Sequence, residues 1–425
     1  MVHLSTRRRN ILSTLIILLS LVAAGGLPIP VSAQLPEEYY PNGKWRTSTP
    51  AEQGMNETTI DEMMQYYKDN EVNIDGILII RNGYLVLEEY PSFYGQNDTH
   101  HIFSCTKGIT SALLGIAIDM DYPLSIDSLV LDYFPEKAPS NPGPLKESIT
   151  VEHLLTMTTG LAWSEYYRES SSNFDAMIRE DDWVKYVLSQ PMFSTPGTEF
   201  VYNSGASHLL SAIIQNVTEM SSLRFAEQHL FSYLGIDDVQ WETDPMNIYR
   251  GESRMRLRPS DLAKIGYLYL RNGRWGETQV ISQDWVERST TIQTNLTIIL
   301  GSGRMQQISY GYQWWVDPRL GYYAVFGWGG QSLVVLPEHE IVMAIAASSA
   351  DKSTSVDYIV EEWLLPSIGV EPTVPTWNSV LSNEVEIYYL RLLLTYVLVT
   401  VIVPVILIKI REEDDGELSD LDKTQ

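Results

Sequence analysis

Ser104 and Lys107 lie three residues apart in His101-Ile-Phe-Ser-Cys-Thr-Lys-Gly-Ile-Thr110, where a polar loop meets an apolar run. On a helix, residues i and i+3 share a face, so the Lys107 amine can reach the Ser104 oxygen from the next turn. A serine hydroxyl is a poor nucleophile at neutral pH until a neighbouring group takes its proton, and a partly dry lysine amine can do so. The pair therefore reads as a nucleophile and its base. Ser-x-x-Lys alone is weak, since roughly one or two copies arise by chance in a chain this long. Ser349-Ala-Asp-Lys352 is a second copy, but it comes after an apolar strand in a polar, acidic stretch. After Ser104, by contrast, Ile109, Leu113, Ile116 and Ala117 recur at helical spacing, which puts Ser104 in a helix's first turn. There the free amides and the helix dipole favour an oxyanion. The bland reading makes Ser104 an N-cap and Lys107 a solvated first-turn side chain.

The elements that must hold this pair are legible from periodicity. Ile77 to Ile80 and Tyr84 to Tyr90 read as two strands joined by the tight turn Arg81-Asn82-Gly83. Helix-spaced apolar residues run from Ser104 to Asp119, Val151 to Thr158, Asp181 to Leu188, Ala206 to Val217 and Pro259 to Leu270. Strands return at Tyr310 to Trp315, Tyr322 to Phe326, Gln331 to Leu336 and Ile341 to Ala346, with a helix near Val356 to Leu365. The order predicts an α+β fold: an antiparallel sheet drawn from both chain ends, flanked by helices, around a mostly helical middle.

Apolar segments mark both ends of the 425 residues. Arg7 to Arg9 precede an apolar run from Ile11 to Ala24, so residues 1–33 read as a signal peptide, with Val31-Ser32-Ala33 as its cleavage site, or as an uncleaved signal anchor. Either exports the domain behind it. Residues 369–386 have the composition of a stalk, and residues 387–410 are long and apolar enough for a transmembrane helix. A buried helix packed on the domain is the alternative. Lys409 and Arg411 suit a cytoplasmic flank, which leaves residues 411–425 as an acidic cytoplasmic tail. The chain is thus expected at a cell membrane, its catalytic domain extracytoplasmic, single-pass or two-pass according to the fate of the first segment.

The net charge of −25 belongs to the exported part, because the basic start and the acidic tail cancel. This excludes nucleic acid as a partner. Cys105 is the sole cysteine, so no intrachain disulfide forms; at i+1 from Ser104 it points away from Lys107 and reads as a small buried side chain. Asn56, Asn97, Asn216 and Asn295 head glycosylation sequons, which permit but do not imply glycans. No His-Glu-x-x-His arrangement or phosphate-cradling glycine loop is present, so neither a metal nor another cofactor is expected.

Three motifs occur in order: Ser104-x-x-Lys107, then Tyr202-Asn-Ser204 within Pro196 to Gly205, then Gly327-Trp-Gly-Gly-Gln331. Together they resemble the serine β-lactamase and penicillin-binding-protein superfamily, in its class C-like branch. The Tyr-Asn-Ser and Gly-Gly-Gln forms are most similar to the 6-aminohexanoate-oligomer hydrolases and related esterases. The resemblance runs from Pro41 to Ile368 and implies a serine hydrolase domain over residues 34–368. It implies that Ser104 is acylated, that Lys107 holds its proton and that Tyr202 relays protons to the leaving group and then activates water. Tyrosine ordinarily ionises near about 10, so this last role needs a cation such as Lys107 nearby. It further implies an oxyanion hole formed by the backbone N–H groups of Ser104 and Gln331, with Ser204, Trp328 and Gly329 binding substrate and Tyr167, beside Tyr166, lining the cleft. Two departures matter. Ser204 stands where asparagine is common, and Trp328 where many relatives place a lysine or histidine that holds a substrate carboxylate. An aromatic face there favours an apolar or neutral group. The expected substrate is a small ester or amide; a cell-wall D-Ala-D-Ala peptide or β-lactam, and a binding module that turns nothing over, are the alternatives.

Overall fold

The computed structural model describes residues 39–41, 43–165, 172–299, 305–348 and 355–371. The expected signal segment (residues 1–33), most of the expected stalk, the apolar run 387–410, the acidic tail, Ser349 to Lys352, Tyr166 and Tyr167 lie outside these residues. Among the described residues no helix is long and apolar enough to cross a membrane.

From Pro41 onward the chain is organised on one eight-stranded antiparallel sheet. Its strands are β1 (Ile74–Arg81), β2 (Tyr84–Glu89), β3 (Thr294–Ile299), β4 (Met305–Tyr310), β5 (Trp315–Asp317), β6 (Tyr322–Gly327), β7 (Gln331–Leu336) and β8 (Ile341–Ala347), in the order β2-β1-β8-β7-β6-β5-β4-β3. The first hairpin thus joins the last strand, with Ile77 opposite Ile345. Asn82 and Gly83 both have positive φ, 53° and 76°, the turn whose twist suits two adjacent strands. β8 is buried at every position because both sheet faces are covered. On one face α1 (Glu57–Asp69) sends Ile60, Met63 and Tyr67 into a core with Ile77, Ile79, Met343, Ile345 and the C-terminal residues Val356, Ile359 and Val360.

On the other face lie α2 (Thr106–Asp119) and α4 (Pro259–Leu270), with α3 (Ser204–Thr218) packed against α2. Gly266 and Gly108 allow the close approach: a Cβ on Gly266 would stand 2.7 Å from Leu333, and one on Gly108 2.8 Å from Val325. Two expectations change. The spacing after Ser104 suggests one apolar face, yet every residue of α2 from Thr106 to Ala117 is buried, because sheet and helices enclose it. Tyr310 to Trp315 is not one strand: the Gly311 amide bonds the Trp314 carbonyl and Gln313 has φ 68°, so the chain turns between β4 and β5. Periodicity also leaves out α1 and the edge strand β3.

Candidate active site

Ser104 belongs to a 3-10 turn, Phe103–Cys105, that runs straight into α2. Phe103 has φ 44°, a conformation that L residues adopt only under constraint. The constraint is visible on both sides. The Ile102 amide bonds the Met255 carbonyl at 3.0 Å. Gly327, at the end of β6, packs so closely that a Cβ there would meet the Ile102 oxygen at 2.6 Å and the Ser104 nitrogen at 2.9 Å.

One turn into α2, Lys107 is 1% exposed, and its Nζ lies 3.0 Å from Ser104 Oγ, 3.1 Å from Ser204 Oγ and 2.9 Å from the Glu252 carbonyl. The solvated reading of Lys107 is thereby corrected. The contacts assign the protons. A carbonyl only accepts, so one N–H points at Glu252. Ser204 Oγ donates to the Glu165 carboxylate, so it accepts a second N–H from Lys107. The remaining position on nitrogen faces Ser104, as a lone pair on the neutral amine or as the third N–H of the ammonium. This arrangement can take the hydroxyl proton of Ser104 and give it back.

Glu165 is the residue that motif reading misses. Its carboxylate also accepts from the Ser204 amide at 3.2 Å and from Trp163 Nε1 at 2.6 Å. No local pattern marks it, since its importance comes from where α3 begins. Ser204 opens α3, behind an Asn203 side chain that caps the helix by accepting from the Ala206 amide. Ser204 thus bridges lysine and carboxylate, a role the shorter side chain performs without an amide.

Beneath Glu252 lies a second charged group that motif reading does not show. The Arg250 Nε donates to Glu252 Oε1 at 2.8 Å, while His208 sits fully buried between Asp244, at 3.1 Å, and the other Glu252 oxygen, at 3.7 Å. Burial pulls the His208 imidazolium down, but the two carboxylates outweigh it and hold the group above its ordinary value. Burial likewise pushes the Glu252 carboxyl up, and Arg250, His208 and Lys107 reverse this and hold it well below the carboxylate range.

Tyr202 borders the same cleft, its ring 4.9 Å from Lys107 Nζ and stacked on Trp315 at 5.9 Å. Its hydroxyl makes no hydrogen bond to a described residue. Trp328 is 70% exposed in the β6–β7 turn and packs edge-on against Phe103 at 5.5 Å, so it is a cleft wall and not a core residue. Gly329 has φ 82° in that turn. Gln331, 1% exposed, spends its side chain on the Ala347 backbone, donating to its carbonyl and accepting from its amide at 3.3 Å. That side chain extends the β7–β8 ladder, which leaves only the Gln331 main chain for substrate. Cys105 is fully buried, its thiol turned to the Val325 carbonyl at 3.4 Å and pushed up by burial. The cleft holds about 430 Å³ and is lined by Phe103, Ser104, Glu165, Tyr202, Ser204 and Trp328, with Phe174, Ile178, Arg250, Ser253 and Arg254 completing it.

Comparison with known proteins agrees with this geometry. The family model described as Beta-lactamase matches residues 57–361. The chain is 24% identical over 303 residues to the 6-aminohexanoate-dimer hydrolase of Paenarthrobacter ureafaciens, covering 67% of this chain and 75% of that protein. Among solved structures it superposes on the octameric penicillin-binding protein homologue from Pyrococcus abyssi with TM-score 0.56 at 20% identity, covering 74% of this chain and 78% of that one. It also superposes on EstCE1, a hydrolase with promiscuous acyltransferase activity, with TM-score 0.60 at 13% identity, covering 73% and 98%. With a family match that spans most of the fold and contains the cleft-facing Ser104 and the buried Lys107, the chain belongs to the Beta-lactamase family of serine hydrolases.

Proposed function

We propose that this serine hydrolase cleaves small esters or amides through an acyl-Ser104 intermediate, and that it does so outside the cytoplasm, anchored to a membrane by residues 387–410. The observation that carries the chemistry is the Lys107 nitrogen, two of whose positions are taken by Glu252 and Ser204 while the third faces Ser104. Ser104 Oγ attacks the carbonyl carbon as its proton passes to Lys107. The oxyanion settles between the backbone N–H groups of Ser104 and Gln331, each such donor worth about 3 kcal/mol of barrier. Tyr202 delivers the proton to the leaving group as the carbon–heteroatom bond breaks, then takes one from the water that frees Ser104. Trp328 supports the choice of substrate, since the third motif offers an aromatic wall in place of a cation. It weighs against a β-lactam or a D-Ala-D-Ala peptide.

The test is pre-steady-state turnover of a short-chain p-nitrophenyl ester by the purified protein, beside Ser104→Ala and with a chromogenic cephalosporin in parallel. A burst equal to the enzyme concentration that disappears in Ser104→Ala is expected, with the ester preferred. Covalent labelling that persists in Ser104→Ala would sink the acyl-enzyme, and a preference for the cephalosporin would move the substrate class. Location is tested separately, by whether the full-length chain sediments with membranes and whether protease added outside intact cells reaches the domain.

A further inference from the structure

A general acid must keep its hydroxyl for the substrate, so its ring has to be fixed from the side. Tyr202 is held in that way. Its ring lies 4.9 Å from Lys107 Nζ and stacks on Trp315, with centroids 5.9 Å apart and planes inclined by 18°. Two aromatic rings prefer such an offset stack to a face-to-face sandwich. Trp315 is in turn fixed by three further rings. Phe326 stacks on it at 5.1 Å and 14°, Tyr310 meets it edge-on at 4.9 Å, and Phe200, two residues before Tyr202, lies at 5.9 Å.

The sequence shows how the indole comes to stand there. Trp314 and Trp315 are adjacent where the chain enters β5, so their side chains leave toward opposite faces of the sheet. Trp314 is fully buried against Tyr269 at 4.4 Å and Tyr323 at 5.6 Å, and the half-buried Trp315 is left for the side of Tyr202. Its backbone is held by the pairs with Tyr310 in β4 and Ala324 in β6. Phe326, the other stacked ring, precedes Gly327, whose close packing fixes the turn that carries Ser104. One indole therefore touches the second motif through Tyr202 and adjoins the third through Phe326. Tyr310 is a second phenol at the indole, but it is 1% exposed, and burial, with Tyr202 adding to it, holds its hydroxyl well above the ordinary value. It stays protonated and serves as packing.

We propose that Trp315 is a positioning residue: its stack fixes Tyr202 at the angle needed to protonate the leaving group, and so decides how well leaving groups that cannot depart as stable anions are expelled. This rests on the reading of Tyr202 as the proton donor in the acyl-Ser104 reaction. In that step the carbon–oxygen bond of the tetrahedral intermediate breaks, its electron pair goes to the leaving oxygen, and the phenolic proton of Tyr202 passes to that oxygen as the carbonyl of the Ser104 ester re-forms. The Lys107 ammonium, formed with the Ser104 proton, balances the phenolate. A p-nitrophenolate departs as a stable anion and needs no proton, whereas an alkoxide does. A Tyr202 ring set loose from its stack therefore fails most where the leaving group is most basic.

The experiment measures kcat/KM, which counts only the steps through acylation, for benzyl acetate and p-nitrophenyl acetate with the full-length protein, Trp315→Leu, Trp315→Phe and Tyr202→Phe. In Trp315→Leu the value for benzyl acetate should fall about 100-fold and that for p-nitrophenyl acetate about tenfold or less. The disparity should be at least as wide in Tyr202→Phe. Trp315→Phe keeps a ring to stack on and should recover most of the benzyl acetate activity. Equal losses on the two esters in Trp315→Leu, with the disparity kept in Tyr202→Phe, overturn the positioning role and leave Tyr202 as the acid. Equal losses in Tyr202→Phe overturn Tyr202 as the acid and Trp315 with it, while the Ser104 burst tests the acyl-enzyme separately. Should circular dichroism show Trp315→Leu unfolded, Trp315→Met is read in the same way. If neither ester turns over, 3-fluorotyrosine placed at position 202 decides by 19F NMR. The ring current of Trp315 should shift its resonance away from that of the unfolded chain, and Trp315→Leu should bring it back; a resonance that Trp315→Leu leaves in place overturns the proposal.

Discussion

The hydrogen bonds of a single nitrogen, Lys107 Nζ, organise the candidate active site. Lys107 has no freedom to turn its lone pair elsewhere, because Glu252 and Ser204 each hold one of its N–H groups. Glu165 acts through Ser204: its carboxylate makes the Ser204 hydroxyl a donor toward Glu165 and hence an acceptor toward Lys107. In Glu165→Gln the side-chain amide can donate to Ser204 instead, which lets that hydroxyl reverse and releases Lys107. Acylation by a p-nitrophenyl ester should then slow about 10- to 100-fold, the penalty of a misdirected catalytic group, with KM little changed. Stopped-flow burst rates measure it, and an unaltered burst rate would exclude the positioning role. Motif reading reaches Ser104, Lys107, Tyr202 and Ser204 because their spacing is local or their order along the chain is distinctive. Glu165 carries no local signature.

At the level of elements, the site exists because the end of a strand is driven against a helix start. Gly327 ends β6 directly on the Ile102–Ser104 turn, with no room for a methyl group. Gly327→Ala should displace that turn by some tenths of an ångström and take the Ser104 amide out of line with the oxyanion. kcat/KM should fall about 100-fold while circular dichroism stays that of the folded protein. Activity within about threefold of the parent would show that the close approach is not needed. The hairpin strands, β6 to β8 and the helices of the middle are readable from period, turn residues and caps, because each is decided by neighbours a few residues away. β3 and α1 escape because short or polar elements are stabilised by the surfaces they pack on, and the β4–β5 turn interrupts an aromatic run that looks continuous from sequence.

Across the whole molecule, the buried group His208, Asp244, Glu252 and Arg250 joins α3 to the loop that orients Lys107. Removing one member leaves a buried charge unpaired, so His208→Gln should destabilise the fold by about 3–5 kcal/mol at mildly acidic pH. The sign of its pH dependence comes from the direction of the shift. His208 is held above its ordinary value, so its contribution is complete below about 6.5 and is lost as pH rises through the folded value. Glu252 is held low, so its contribution is complete above about 4.3 and is lost as pH falls through its folded value. Chemical denaturation of parent and His208→Gln from about pH 5 to 9 should therefore show the widest gap near about pH 5 to 6, narrowing as pH rises. A gap that widens with pH would mean that His208 is buried neutral.

Sequence by itself determined the fold class, the family and the aromatic substitution in the third motif, and it singled out Ser104 and Lys107 as candidate nucleophile and base. Those features are recorded in spacing: an i, i+3 pair on a helix start, alternating apolar strands, and three motifs in order. The tertiary structure alone decided that Lys107 is dry, that Ser204 bridges it to Glu165 and that the Gln331 side chain serves the sheet. Each of these depends on groups far apart in sequence, 97 residues between Lys107 and Ser204 and 145 between Lys107 and Glu252. A chain's local pattern fixes which faces are apolar and where helices begin, but which lone pair is satisfied and which charge is matched are sums over all neighbours, and only packing supplies those neighbours.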